Sequence, residues 1–124
     1  MRRDLEIWVF GDHRNHPHDR LTLQVLAHAR GLAGDVGRVT AIILGHNVES
    51  IARDYIAHGA RRACLLDDPE LAVYRADLFS TLVGDLVREH QPDIFLLGAS
   101  DAGKEIAARV SKRIGVGLCA DAVS

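Results

Sequence analysis

One stretch of the chain carries residues whose types and spacing suit anion binding: Gly98, Ser100, Asp101, Gly103 and Lys104, at the start of GASDAGKEIAARVSKRIG. They follow a short apolar run, Asp93–Leu97, and precede a stripe at helical spacing made by Gly103, Ile106, Ala107, Val110 and Ile114. That order reads as strand, tight turn, helix, with Ser100 or Asp101 placed to cap the helix. Small residues at such a turn leave backbone N–H groups on a positive helix end, where an anion or nucleotide phosphate can sit. The same pattern is also what an ordinary capped crossover turn requires, and most such turns bind nothing.

Three further groups raise chemical questions. His13, His16 and His18 crowd one polar loop, but their spacing matches no helical metal pair and no thiolate supports them, so no metal site is expected. Asp67 and Asp68 form an acidic pair. Adjacent residues on a strand point to opposite faces, so turn chemistry ahead of Pro69 explains them better than paired-carboxylate catalysis. Cys64 and Cys119 are isolated in apolar runs, as expected of reduced core thiols in a cytoplasmic protein. No catalytic set of residues stands out, and the chain does not read as an enzyme.

The elements that must position these residues alternate regularly. Strands are expected at Leu5–Phe10, Val39–Leu44, Ala63–Leu66, Asp93–Leu97 and Leu118–Val123, each almost continuously apolar, as in a parallel sheet covered on both faces. Between them lie helical stripes: Leu21, Val25, Ala29, Leu32 and Ala33; then Val48, Ile51, Ala52, Tyr55 and Ile56, with Asn47 as cap. A third helix is expected over Val73–Glu89. The result is an α/β, doubly wound parallel sheet in strand order 3-2-1-4-5, a three-layer sandwich like that of the adenine-nucleotide α-hydrolases. Ile7, Val9, Ile42, Leu44, Leu65, Ile94 and Leu96 should be buried in it. Ligands of such sheets bind at the carboxyl ends of strands where the winding reverses. Here that crevice lies between strands one and four, walled by Gly11–Arg20 and by Gly98–Lys104.

Composition limits the partners. The 124 residues are 48% hydrophobic and carry a net charge of −2, which suggests neither nucleic acid nor an anionic membrane. No apolar run reaches membrane-spanning length. No GxGxxG follows the first strand, and no intact P-loop or GxSxG elbow is present. The final strand stops at Ser124 without a turn or cap, so residues 1–124 read as one domain cut within its fifth strand.

Four stretches together resemble the α subunit of electron-transfer flavoproteins: IWVFGDHR, AIILGHNVESIARDYIAHGA, LLDDPELAVYRADLF and DIFLLGASDAGKEIAARVSKRIGVGLCADAV. In the last of them Gly98, Ala99, Ser100, Gly103, Lys104, Glu105, Arg109, Gly115, Gly117, Leu118, Ala120 and Asp121 match the family's pattern without a gap. Lys104 and Glu105 stand where Arg and Asp are commoner, and Ala108 where Pro is usual. The resemblance implies an N-terminal domain that scaffolds and docks within an αβ heterodimer. The heterodimer carries electrons from flavoprotein dehydrogenases to a quinone oxidoreductase or another acceptor. It further implies that FAD is held by a C-terminal domain absent from these residues. Partners would be the β subunit and that C-terminal domain, and the severed strand could let the fragment self-associate. On this reading Gly98–Lys104 is the relic of a nucleotide site. The alternative is a stand-alone nucleotide-binding α/β protein, like the universal stress proteins, that uses the crevice between strands one and four.

Overall fold

The computed structural model describes residues 5–13, 20–34, 37–98, 100–114 and 119–120. Five strands, β1 (Glu6–Phe10), β2 (Arg38–Gly45), β3 (Arg62–Asp67), β4 (Ile94–Leu97) and β5 (Cys119–Ala120), form one sheet in the order β3-β2-β1-β4-β5. All pairings are parallel, and β5 joins through Leu96 opposite Cys119 and Leu97 opposite Ala120. The four helices are α1 (Arg20–Ala33), α2 (Glu49–Ala57), α3 (Ala76–His90) and α4 (Asp101–Ile114).

Strand alternation divides the core into two layers. Ile7, Val9, Val39, Ala41 and Ile43 face one way and pack with Val25, Leu26, Ala29, Ala52 and Tyr55 of α1 and α2. Trp8, Phe10, Ile42, Leu44, Phe95 and Leu97 face the other way, against Phe79, Val83, Ile106 and Val110 of α3 and α4. β1 and β2 are buried on both sides, which is why their sequences read as unbroken apolar runs.

Some expected core positions move. Leu65 is 38% exposed, because β3 is a sheet edge that helices cover only partly, and Ile94, the first residue of β4, is half-buried. On α1 the buried stripe is Thr22, Val25, Leu26, Ala29 and Ala33, leaving Leu32 exposed, and on α2 Ile56 is exposed. The third helix begins at Ala76, not Val73. Asp68 accepts the Glu70 N–H at 2.9 Å and caps a short 3₁₀ turn, Pro69–Leu71. Arg75 is then extended before the helix starts, and Val73 stands 71% exposed.

Candidate functional site

The winding reverses between β1 and β4, and the carboxyl ends of these strands bring together the described parts of the two predicted walls, residues 11–13 and 20 on one side and 98 and 100–104 on the other. From β1, Gly11 donates its N–H to the Ile42 carbonyl at 2.9 Å, and Asp12 and His13 follow. His13 donates from Nε2 to the Leu44 carbonyl at 2.8 Å and lies over Gly45, where a Cβ would come within 2.9 Å of the ring. The Thr22 hydroxyl on α1 donates to the Asp12 carbonyl at 3.1 Å, so the loop is pinned from both flanks. His16 and His18 lie outside the described residues. Among the described residues no group of three or more His, Cys, Asp or Glu side chains could hold a metal ion.

From β4, the chain passes Gly98 into Ser100, the residue before α4. Ser100 Oγ accepts the Gly103 N–H at 3.1 Å, and its carbonyl accepts the Lys104 N–H at 2.9 Å. Two of the N–H groups that suited the turn for an anion are therefore engaged by the protein itself. The Ser100 hydroxyl in turn donates to Asp12 Oδ2 at 2.7 Å. A carboxylate of the protein thus stands one hydroxyl away from the positive end of α4, the position an incoming anion would seek. Asp101 and Lys104 are exposed.

The glycines of this region serve close packing. A Cβ on Gly103 would lie 2.1 Å from the Gly98 carbonyl oxygen, and one on Gly98 would lie 2.9 Å from Leu21. A Cβ on Gly11 would meet the Tyr55 ring at 2.7 Å. These residues let α4, α1 and α2 approach the strand ends.

What remains of the crevice is a space of about 40 Å³ lined by residues that include Phe10, Asp12, His13, Leu71, Tyr74 and Ala102. Its roof is the strap between the 3₁₀ turn and α3. Tyr74 stacks edge-on against Phe79 with ring centroids 5.1 Å apart, and its hydroxyl donates to Glu105 of α4 at 3.1 Å. Small-molecule pockets run to about 300–1,000 Å³, so the described part of the crevice is well below that size. A larger groove of about 630 Å³ runs between α3 and α4, and its described lining includes Asp77, Ser80, Thr81, Ala108, Arg109 and Lys112.

The acidic pair at the end of β3 diverges. Asp67 accepts the N–H groups of Asn47 at 2.9 Å and Val48 at 3.2 Å and holds the turn before α2, while Asp68 caps the 3₁₀ turn. The two backbone hydrogen bonds, with nearby His46, hold the Asp67 carboxyl below its ordinary 3.8. Asn47, expected as the α2 cap, instead takes the left-handed conformation at φ 58°, and α2 has no side-chain cap. Cys64 is a half-buried free thiol that burial pushes up, against a smaller opposing effect of Arg62. Sequence reasoning named Glu105 only within the family pattern and did not single out Asp12 or Tyr74. The only advance signal was the position of Asp12, directly after Gly11 at the end of β1.

The family model described as the electron transfer flavoprotein domain matches residues 7–124. The chain belongs to this family. It is 34% identical over 117 residues to the electron transfer flavoprotein subunit alpha of Thermoanaerobacterium thermosaccharolyticum, covering 94% of this chain and 36% of that protein. With the subunit alpha of Clostridium acetobutylicum it shares 33% over 119 residues, covering 95% of this chain and 35% of that protein. The chain therefore spans about a third of the length of these curated relatives. Among solved structures, protein Rv1636 from Mycobacterium tuberculosis H37Rv superposes with a TM-score of 0.52 at 16% identity, covering 100% of this chain and 99% of that one. This last likeness concerns the fold alone.

Proposed function

We propose that this chain is the N-terminal scaffolding and docking domain of an electron-transfer flavoprotein α subunit, working beside a β subunit in an electron-carrying heterodimer. It performs no chemistry of its own. The observation that carries this reading is the small switch-point crevice in a chain of this family: its described part leaves a space of about 40 Å³, lined by residues that include Asp12, His13, Leu71 and Tyr74. On this reading FAD would be held by residues other than those of the switch-point crevice, whose described part encloses only about 40 Å³.

The Gly98–Lys104 turn retains the layout of a phosphate-binding turn and uses it for structure, with Ser100 joining Asp12 to the start of α4. A stand-alone nucleotide-binding protein would need that crevice open. Co-expression with an electron-transfer flavoprotein β subunit tests the proposal. The chain should then purify in a stoichiometric complex with that subunit. A chain that stays apart from the β subunit and takes up AMP by itself would favour the stand-alone alternative.

A further inference from the structure

The edge strand β3 is six residues long and pairs with β2 without a bulge, from Thr40 opposite Arg62 to Gly45 opposite Asp67. No described strand pairs with its outer side. Soluble proteins blunt such edges with lysine, proline, a bulge or a covering element. β3 has no lysine, proline or bulge, and its charged side chains stand only at its two ends. Its middle is apolar, with Ala63, Cys64 and Leu66 half-buried and Leu65 38% exposed. Beside it, on the α3 side, lies a groove of about 370 Å³ whose lining includes Leu66, Leu78 and Leu82 with Asp68 and Glu70 at its rim.

The charges at the two ends of this edge differ in sign. Arg61 and Arg62 stand exposed at its start, and Asp67 and Asp68 at its end. Arg62 donates to Thr40 at 3.2 Å and to Glu6 at 3.3 Å, which fixes its direction while leaving its side chain 59% exposed. Read along the chain, Arg61–Asp68 is basic, then apolar, then acidic, so an antiparallel copy of the same segment lays each acidic end against a basic one.

We propose that the β3 edge is a docking surface for a second copy of this chain, paired antiparallel about a two-fold axis that passes Leu65. A two-fold axis perpendicular to the sheet brings only residues of the same face opposite each other. With Leu65 on the axis, Leu65 faces its own copy, Cys64 faces Leu66, Ala63 faces Asp67, and Arg62 faces Asp68. Asp68 continues the extended backbone at φ −153° and ψ 140°, so strand geometry reaches far enough for that ion pair. Centring the axis on Cys64 instead would pair Arg61 with Asp67 but set Leu66, a larger apolar side chain than Ala63, against the Arg62 charge. This surface is independent of the crevice and of the flavoprotein reading.

Sedimentation velocity on the purified chain should show a monomer–dimer equilibrium that moves with concentration. Leu65→Lys, which sets two ammonium groups against each other at the axis, should weaken dimerisation by about tenfold or more. Opposed Cα atoms in an antiparallel pair lie about 4.5–5.5 Å apart, within disulfide reach. Leu65→Cys in a background of Cys64→Ser and Cys119→Ser should therefore form a cross-linked dimer on mild oxidation, while Cys64 in the wild type should not cross-link. A wild-type chain that is monomeric at every concentration reached overturns the proposal, as does a dimer unmoved by Leu65→Lys or one cross-linked through Cys64. If Leu65→Lys fails to fold, the cysteine variant decides alone.

Discussion

Gly103 packs beneath Gly98 so tightly that a Cβ on Gly103 would stand 2.1 Å from the Gly98 carbonyl oxygen. The first turn of α4 is thereby seated directly on the end of β4, with no gap for a ligand group between them. Substituting Gly103→Ala must push helix and strand apart, and overpacking of this kind costs about 1–3 kcal/mol. Gly31 is the control, since a Cβ there meets nothing within 4 Å and the residue lies on the exposed face of α1. Gly31→Ala should stabilise by about 0.5–1 kcal/mol through helix propensity. Chemical denaturation of the two variants checks both signs.

Ser100 links Asp12 to the start of α4, and its loss should be felt as a lost helix cap. Ser100→Ala should cost about 1 kcal/mol, with Asp12 losing the same donor. Ser100→Thr, which keeps the hydroxyl, should recover most of that stability. Thermal unfolding of the pair measures it, and equal stability of Ser100→Ala and wild type would mean that the Asp12–Ser100–Gly103 chain of hydrogen bonds carries no weight.

Asp67 predicts a pH dependence of definite sign. Its carboxyl is held below 3.8 chiefly by the backbone N–H groups of Asn47 and Val48, so the folded state favours the ionised form. That contribution is fully present above 3.8 and is lost as pH falls through the lowered folded value. Asp67→Asn should therefore be less stable than wild type at neutral pH, and the difference should shrink once the solution is more acidic than the ordinary carboxyl value. Urea midpoints for both proteins across that range would show it. A difference constant with pH would remove Asp67 as the ionised holder of the α2 turn.

The start of α3 gives a further contrast. Leu71 is 6% exposed and Val73 71%. Leu71→Ala should cost about 2–5 kcal/mol as a core truncation, whereas Val73→Ser should stay within about 0.5 kcal/mol. Comparable losses at both positions would mean that the 3₁₀ turn is not where the chain turns inward.

The sheet was legible because apolar strand runs alternate with helical stripes, as right-handed crossovers of a parallel sheet require; the apolar run of β3 gave no sign that it lies at a partly exposed edge. Periodicity was less exact for the helices. On α1 the pattern that includes Leu32 and the one that includes Leu26 share Val25, Ala29 and Ala33, and only the approach of β1 and β2 chooses between them. Val73 continued the stripe of α3 by spacing alone, but Asp68 and Pro69 start a separate turn before it. At the crevice, the glycines and Ser100 were visible as a cradle. What fills it was not, because Asp12 comes from β1, Tyr74 from the strap before α3 and Glu105 from α4, and these positions meet only through the tertiary fold. A phosphate turn and a packing turn need the same small residues, and the opposing side chain decides which one forms.

Titration of the purified chain with AMP and with FAD, followed by calorimetry for AMP and by flavin absorbance and fluorescence for FAD, tests the central claim most directly. A crevice of about 40 Å³ closed by the protein's own side chains predicts no heat from AMP, a colourless protein and no flavin binding in the micromolar range. One equivalent of either ligand bound with micromolar affinity, and lost on substituting the Gly98–Lys104 turn, would contradict it.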